Sequence, residues 1–325
     1  MSTVANQPDH DTLMTVVALA VLAPSVHNSQ PWLWRIGDET VQLYADPDRQ
    51  LCHTDPDQRD LVVSCGAALH HLQVAAAALG WATVVHRLPN PVEPNHLAAV
   101  QFRPAPPTAK AVRLARAIID RRSDRRRYTS WDVPGIHVDA LVDAGATRGV
   151  LVRDIGPETG RVHLSRAFAR AAAIHAADAG YRAELARWSG HHAVADGIPA
   201  RNAVVTAGPR ARPFADPRLP EAIVGDADGA DRMLILYTAG DERISWLRSG
   251  EATSAILLAA TVFGLATCPL SDPLEVPEVR RELRTELLQD SGFPQMIIRT
   301  GWAATNSGPL PATPRRPLDE VVASW

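Results

Sequence analysis

Apolar residues along the first hundred positions follow two different periods. The stretch 59–79 is rich in Ala and Leu and ends at Gly80, which easily takes the left-handed geometry of a helix C-terminus, so it predicts a long helix. An earlier apolar stretch predicts a helix over 11–22 with Asp11 as its N-cap. Alternating apolar residues predict a hairpin of strands 32–36 and 41–45, and then strands 81–88 and 97–102.

The second part of the chain has a similar pattern, interrupted by one long polar segment. It predicts helices over 110–120, 137–144, 162–186 and 251–263, and strands over 150–152, 233–237 and 296–300. The segment 189–229 holds His191, His192, five prolines and many small or charged residues. A segment of this length with little regular structure is typical of a functional lid or of disorder, and we expect a lid here.

The two parts also resemble each other residue by residue. When Arg59 is placed over Arg243, an offset of 184 residues, Gly66 meets Gly250 without a gap. Gly80 meets Gly264, and an Ala-Thr pair follows both helices. Two Ala-rich helices that end in glycine also match by chance, so the shared Ala-Thr carries more weight than the alanines. The pattern predicts two related α+β units in tandem, residues 1–105 and 106–325, joined at the proline-rich stretch 104–107.

Composition places the chain among ordinary globular proteins. It has 325 residues, 46% of them hydrophobic, and a net charge of −3, which does not suggest a nucleic-acid partner. Three cysteines without CxxC spacing indicate reduced thiols. The N-terminus lacks the basic region of a signal peptide, and the apolar runs look too short to cross a bilayer. We therefore expect a cytoplasmic protein with no membrane partner, no nucleic acid and no metal site.

A compact polar cluster lies between the first helix and the first strand. Ser25, Asn28, Ser29 and Gln30 carry four hydrogen-bonding side chains within six positions, bounded by Pro24 and by Pro31-Trp32. Composition alone makes this a turn with the usual turn residues. The alternative is a ligand-contacting loop.

The densest positive charge is the run Arg121-Arg122-Ser123-Asp124-Arg125-Arg126-Arg127. Most charge runs are solvated surfaces, and that interpretation applies here too. The alternative is a phosphate site, because the planar guanidinium fork matches phosphate oxygens and Arg121, Ser123 and Arg125 stand at alternating positions.

Both motifs resemble those of one family. Ser25-x-x-Asn28-Ser29-Gln30-Pro31-Trp32 looks like the flavin-contacting loop of the nitroreductase family of FMN enzymes, and Arg121-x-Ser123-x-Arg125 is similar to that family's N-terminal signature. The resemblance implies an α+β, nitroreductase-like fold with a mixed sheet and long central helices. Nitroreductases are commonly homodimers with flavins at the subunit interface, so a tandem copy would be a pseudo-dimer within one chain, and a monomer is plausible.

The resemblance also assigns roles to residues. Arg121 and Ser123 would contact the FMN phosphate, and Arg125 would lie near flavin N1 and O2. Ser25 and Asn28 would reach the flavin from the opposite half. The segment Pro269-Leu270-Ser271 would present its backbone to flavin N5 and O4, and Arg315 or Arg316 would complete the phosphate site. The catalytic chemistry would belong to flavin N5 and to no side chain.

The motifs are divided unequally between the halves. The loop occurs in the first half alone, and the Arg-x-Ser-x-Arg signature in the second alone. We therefore expect one FMN between the halves, as in the similar Acg family of actinobacteria, which has two degenerate halves and a lid. Two functions follow. The first is hydride transfer from transiently bound NAD(P)H through the flavin to an electron-poor acceptor, such as a nitro compound or quinone. The alternative is FMN storage beneath a closed lid, with little turnover.

Overall fold

A computed structural model describes residues 7–37, 40–146, 149–156, 159–190, 194–205, 212–222 and 230–323. Its first sheet is built mainly from the N-terminal part of the chain. The strands are β1 (Trp32–Ile36), β2 (Thr40–Ala45), β3 (Trp81–Arg87), β4 (His96–Pro104) and β11 (Val322–Ala323), in the order β11-β1-β2-β4-β3. Strand β11 pairs parallel to β1 and the other pairs are antiparallel, so the sheet is mixed.

The second sheet comes from the later part of the chain and is antiparallel. It contains β5 (Val150–Ile155), β8 (Arg232–Thr238), β9 (Ala266–Leu270) and β10 (Phe293–Gly301), in the order β5-β8-β10-β9. Two short strands, β6 (Ser189–Gly190) and β7 (Ile198–Pro199), pair with each other within the segment predicted as a lid. The α+β class and the mixed sheet are as predicted.

Two long helices pack together at the centre of the molecule. Helix α2 (Arg59–Ala78) and helix α7 (Arg243–Val262) each have 20 residues, and each begins and ends 184 positions from its counterpart. Where they cross, a Cβ on Gly66 would lie 3.0 Å from the Cα of Gly250. One turn further, His70 Nδ1 and Ser254 Oγ are 2.8 Å apart. These contacts join residues that the sequence alignment made equivalent. The tandem duplication itself remains a prediction.

The other helices pack against this pair, against the sheets or against one another. They are α1 (His10–Ala20), α3 (Ala109–Asp120), α4 (Gly135–Gly145), α5 (Thr159–Ala177), α6 (Ala179–Arg187), α8 (Pro277–Leu288) and α9 (Leu318–Val321). One hydrophobic core joins α1 and α2 to the first sheet and includes the fully buried Trp32 and Trp34. Another core joins α4 and α7 to the second sheet. The boundary at 105/106 remains a prediction, and Val322 pairs back with Trp34 of the first sheet.

Several predicted elements differ from those observed. Asp9, and not Asp11, caps α1, because its carboxylate accepts the Thr12 amide at 2.8 Å. The predicted helix 162–186 is two helices, because Asp178 leaves helical geometry and accepts the amides of Gly180 and Tyr181 to start α6. Helix α7 begins at Arg243 and not at 251, and α8 and β9 were not predicted.

Among the described residues, one helix is long and apolar enough to cross a membrane, contrary to the expectation from the sequence. This helix is α2, and 78% of its apolar window is buried inside the protein. Core helices of this kind pass the same length and composition test, so the feature is weak evidence for a membrane span.

Candidate functional site

A cavity of about 470 Å³ lies beside α2 and α7 and receives side chains from both parts of the chain. A volume of this size is typical of small-molecule sites. The lining residues come from the loop after α1, from α2 and α7, from the basic run, from the end of β9 and the turn after it, from β10 and from the segment 189–229: Pro24, Ser25, Val26, His27, Asp60, Val63, Ser64, Ala67, Ser123, Arg125, Arg127, Val204, Arg212, Phe214, Glu221, Thr253, Cys268, Pro269, Leu270, Ser271, Asp272, Met296 and Arg299.

The loop after α1 has an unusual backbone that brings Ser25 to the cavity. His27, Asn28 and Gln30 all have left-handed φ angles, of 46°, 54° and 51°. Asn and His tolerate this region better than most residues, whereas Gln30 adds strain there. The loop is held by hydrogen bonds, since the Gln30 amide donates to Ser25 Oγ at 2.9 Å and the Val26 amide donates to Ser64 Oγ at 3.1 Å. The loop is therefore ordered, and Ser25 is the member of the polar cluster that lines the cavity.

Asn28, predicted to contact flavin, is turned toward the lid and the C-terminal tail. Its Nδ2 donates to the carbonyls of Gly197 at 3.0 Å and Pro314 at 3.1 Å, and its Oδ1 accepts from Arg315 at 3.0 Å. Asn28 is 4% exposed and is not among the described residues that line the cavity. Its contact with flavin remains a prediction, and its observed role is to fasten the loop.

Arg315 and Arg316 lie in different surroundings. Arg315 donates to the carbonyls of Val21, Leu22 and Ala23, where α1 ends, at 2.8–3.2 Å. Arg316 forms ion pairs with Asp46 at 3.6 Å and Glu320 at 3.4 Å. Arg316 therefore has carboxylate partners, whereas Arg315 caps helix carbonyls. Neither side chain lines the cavity in the described part of the chain.

The basic run is fixed against the edge of the second sheet. Ser123 forms a parallel bridge with Thr267 of β9, and the Asp124 amide donates to the Thr267 carbonyl at 2.8 Å. Asp124 neutralises Arg126 through an ion pair at 2.9 Å. The carboxylate of the run is thus paired with Arg126. Ser123 and Arg125 lie on the cavity wall.

Positive charge accumulates here without matching negative charge. Arg121 is 5% exposed, its Nε has no hydrogen-bond partner, and its NH1 reaches Ser123 Oγ at 3.4 Å. Burial, with added repulsion from Arg315, lowers the pKa of Arg121 to about 9. Burial also lowers the pKa of Arg315, to about 10, and it lowers the pKa of Arg125. Among residues 7–323 as described, no carboxylate forms an ion pair with Arg121, Arg125 or Arg315.

Beside the basic run, the cavity wall continues as the end of β9. Pro269 pairs with Ile298 of β10, and Leu270 pairs with Ile297. Pro269, Leu270 and Ser271, which were expected to face the flavin, all line the cavity. Ser271 Oγ donates to Glu275 Oε1 at 2.7 Å. The structure thus brings Ser25, Ser123, Arg125 and the 269–271 segment together, while Arg121 lies behind Ser123.

A charged cluster that was not predicted lies next to Ser271. Arg212 of the lid contacts His27, Tyr181, Ser271 and Glu275, and the His175 ring stacks on Tyr181 at 3.9 Å. Ligand atoms of His175, Asp272 and Glu275 lie within 4.8 Å of one another, which is a spacing that a metal ion could use. The cation that lies against both carboxylates is the Arg212 guanidinium, at 2.5 Å from Glu275 and 3.3 Å from Asp272.

Residues of the first and second parts therefore share one cavity, and comparison with known proteins identifies the family. The family model described as "Nitroreductase family" matches residues 118–302. The chain belongs to the nitroreductase family. It is 44% identical over 320 residues to the Mycobacterium tuberculosis protein named "Putative NAD(P)H nitroreductase Rv3131", covering 97% of this chain and 92% of that relative.

A second relative confirms the predicted resemblance to the Acg group. The chain is 40% identical over 323 residues to the M. tuberculosis protein named "Putative NAD(P)H nitroreductase acg", covering 96% of this chain and 95% of that protein. Among solved structures, the FMN-dependent nitroreductase NfnB from Mycobacterium smegmatis in complex with NADPH shows 18% identity and a TM-score of 0.41, covering 65% of this chain and 97% of that one. A similarity that low carries no weight in the assignment.

Proposed function

We propose that this nitroreductase is an FMN-dependent NAD(P)H oxidoreductase with its cofactor in the cavity described above. The observation that carries the proposal is the buried Arg121 together with the half-buried Arg125 beside Ser123, neither of which has a carboxylate partner among the described residues. A buried guanidinium without an acceptor is costly, and a phosphate dianion is the ligand that would satisfy Arg121 and supply charge for Arg125. The names of the M. tuberculosis relatives, which refer to NAD(P)H nitroreductases, support the same activity.

The cavity walls suggest how the chain would orient the cofactor. Arg121 and Ser123 would hold the phosphate, and Arg125 would place positive charge near the pyrimidine edge of the ring. Ser25 would approach from the loop after α1, and the 269–271 backbone from the end of β9. Arg315 would contribute indirectly, because its guanidinium fixes the loop and the end of α1. Its electrostatic effect on Arg121 favours Arg315 over Arg316 as the C-terminal basic residue of this site.

The chemistry would follow from the cofactor together with this electrostatic setting. Bound FMN supplies hydride acceptance and donation at its ring, for which no acidic or basic side chain is required. The positive charge of Arg125 would favour the reduced form by stabilising negative charge on the ring. The remaining cavity volume and the lid would control which reductant and which acceptor approach. An electron-poor acceptor such as a nitro compound or quinone is the class that we propose.

We infer a stoichiometry of one FMN per chain. The 184-residue offset relates the cavity residues Ala67 and Ser271 to Glu251 and Arg87, respectively. Glu251 is 1% exposed and forms a two-point ion pair with Arg87, with both N–O distances at 2.7 Å. Gln73 donates to the same carboxylate at 2.8 Å. Polar side chains thus fill the position equivalent to the cavity, which argues against a second flavin. We also propose that the protein is monomeric and cytoplasmic, as expected from the sequence.

A second candidate function is FMN storage beneath the lid. The observation that favours it is the position of Phe214, which is 7% exposed and lines the cavity. The guanidinium carbon of Arg125 lies 5.1 Å from the centre of the Phe214 ring, and His27 meets the same ring edge-on at 5.9 Å. An aromatic ring at this position would compete with a nicotinamide for the space above the flavin.

One experiment separates these functions. The purified protein is reconstituted with FMN, and the visible flavin absorbance is followed anaerobically after addition of NADPH and, separately, of dithionite. Rapid bleaching by NADPH supports the oxidoreductase, and bleaching by dithionite alone supports storage. A protein that binds no FMN after reconstitution would refute both.

A further inference from the structure

The lid segment, defined here as residues 212–222, is joined to the cavity by one buried cation. Arg212 NH1 lies 2.7 Å from His27 Nε2, and donates to Tyr181 Oη at 3.0 Å and to Glu275 Oε2 at 3.0 Å. Its NH2 donates to Glu275 Oε1 at 2.5 Å and to Ser271 Oγ at 3.3 Å. These partners belong to the loop after α1, to α6 and to the turn after β9. A single side chain therefore connects the lid to three other segments.

The surroundings of Arg212 form a receptor for a guanidinium group. Glu275 accepts from both terminal nitrogens, which is the two-point geometry that makes arginine–carboxylate pairs strong. Asp272 adds a second carboxylate at 3.3 Å. The side chains of Arg212 and Glu275 are 11% and 1% exposed, so little water shields their attraction.

Apart from Phe214, whose ring meets His27 and Arg125, the lid segment is also held by hydrogen bonds to neighbouring parts of the chain. The Ala215 amide donates to Ser189 Oγ at 3.0 Å, and the Leu219 amide donates to the Ala203 carbonyl at 2.8 Å. Both acceptors belong to the same segment 189–229. Glu221 Oε1 accepts from the exposed Arg127 amide at 2.6 Å. None of these hydrogen bonds reaches the loop after α1 or the turn after β9, as those of Arg212 do.

We propose that Arg212 anchors the lid segment over the flavin cavity, with Glu275 and Asp272 as its receptor, and that breaking this contact opens the cavity to the nicotinamide. The inference rests on the proposed function, because it specifies the residue that would decide between turnover and storage. A buried carboxylate that loses its cationic partner is left uncompensated, so the closed state is penalised when either member is removed. Burial raises the pKa of Glu275 to about 7 while Arg212 acts to lower it, so Glu275 depends on this partner for its charge.

The first test needs no flavin. Hydrogen exchange of the 212–222 peptide is compared by mass spectrometry in the flavin-free wild type, Arg212→Ala and Glu275→Gln. The matched control is Arg218→Ala, which removes the same charge from an exposed position in the same segment. We expect both anchor variants to exchange at least about tenfold faster than the wild type, with Arg218→Ala unchanged. Exchange at wild-type rates in both anchor variants would overturn the proposal.

The second test uses the FMN-loaded protein. We expect Arg212→Ala and Glu275→Gln to bleach with NADPH at least about tenfold faster than the wild type, while bleaching by dithionite is unchanged. Exchange of α2 peptides reports whether each variant is folded, and Glu275→Gln keeps the shape of the carboxyl group if Arg212→Ala misfolds. Faster exchange without faster bleaching would refute the anchor's role in access. Failure to bind FMN would refute the proposed function and leave the exchange result standing.

Discussion

Gly66 of α2 lies directly against Gly250 of α7, at equivalent positions of the two central helices. A Cβ on Gly66 would lie 2.1 Å from the Leu247 carbonyl oxygen, and one on Gly250 would lie 1.9 Å from that of Val63. Backbone atoms cannot move aside as flexible side chains can. The close crossing of the two helices therefore requires glycine at both positions, and it sets the wall of the cavity that α2 provides.

Adding a methyl group at this crossing should destabilise the fold. We expect Gly66→Ala and Gly250→Ala each to lower the free energy of unfolding by at least about 2 kcal/mol, because the helices must separate. Gly135→Ala is the control, since a Cβ there meets nothing within 4 Å. Urea denaturation measures all three variants. Wild-type stability in Gly250→Ala would show that the helices do not pack as described.

Removal of the basic groups at the predicted phosphate site should weaken FMN binding. Charge-assisted hydrogen bonds contribute about 1.5–3 kcal/mol, so we expect Arg121→Ala to raise the Kd of FMN about 10- to 100-fold, and Ser123→Ala to raise it less. Arg116→Ala, on the exposed side of α3, is the control. Quenching of flavin fluorescence gives the Kd.

The same titration with riboflavin, which has no phosphate, should show little difference between Arg121→Ala and the wild type. An equal loss of affinity for both flavins would place Arg121 away from the phosphate. Comparison of Arg315→Ala with Arg316→Ala then resolves the C-terminal residue, and we expect the larger loss for Arg315, which holds the loop carrying Ser25.

The Arg87–Glu251 pair should matter for stability and not for flavin content. Removal of one partner of a buried ion pair costs about 3–5 kcal/mol, so Glu251→Ala should unfold at much lower urea concentration than the wild type. The exposed pair Arg170–Glu282 provides the control, and Glu282→Ala should cost less than about 1 kcal/mol. Both variants should retain one FMN per chain. A fall in flavin content in folded Glu251→Ala would place this pair near the flavin.

Acid should destabilise the protein through His71. This side chain is 0% exposed, its Nδ1 lies 3.0 Å from the Ala67 carbonyl, and its Nε2 has no partner in the described part of the chain. Burial, aided by Arg121, holds its pKa well below 6.5. Above pH 6.5 the histidine is neutral in both folded and unfolded chains. Below pH 6.5 the unfolded chain takes up the proton first, so stability falls as the pH falls.

The size of this effect is isolated by comparing pH dependences. Relative to His71→Leu, the wild type should lose up to about 1.4 kcal/mol of stability per pH unit below pH 6.5. Contributions from Asp55 and Glu275, whose pKa values burial raises to about 7, are common to both proteins and cancel in the difference. His86→Leu, at an exposed position, is the control and should keep the wild-type slope. Parallel curves for the wild type and His71→Leu would contradict the prediction.

The sequence was sufficient where the signal was local. Helix α2 and the β1–β2 hairpin follow from apolar periodicity, and the loop and the Arg-x-Ser-x-Arg run were recognisable as short motifs. Helix α8 was missed although its buried residues Val279, Leu283 and Leu287 recur every four positions, and α5 was joined to α6 because Ala-rich sequence continues past Asp178. In each case a capping or packing interaction decided the boundary.

The parts of the site that could not be predicted depend on contacts between distant residues. Arg212 and His27 are 185 positions apart, and Arg315 and Asn28 are 287 apart. Nothing near Arg212 in the sequence distinguishes it from other lid arginines, because its receptor is assembled from α6 and the turn after β9. Asn28 matched the family motif, yet its side chain binds Gly197 and the C-terminal tail. The lid was predicted as one segment over 189–229, of which 191–193, 206–211 and 223–229 lie outside the described residues.

The flavin content of the purified chain is the direct test of whether the cavity binds one FMN. FMN released by denaturation is quantified against protein after reconstitution and removal of free flavin, and the visible spectrum is recorded during anaerobic addition of NADPH. We expect one FMN per chain, bound at the Arg121–Arg125 end of the cavity and reduced by NADPH. Two FMN per chain would contradict the assignment of Arg87 and Glu251 to a filled second position, and no FMN would contradict the proposed function as a whole.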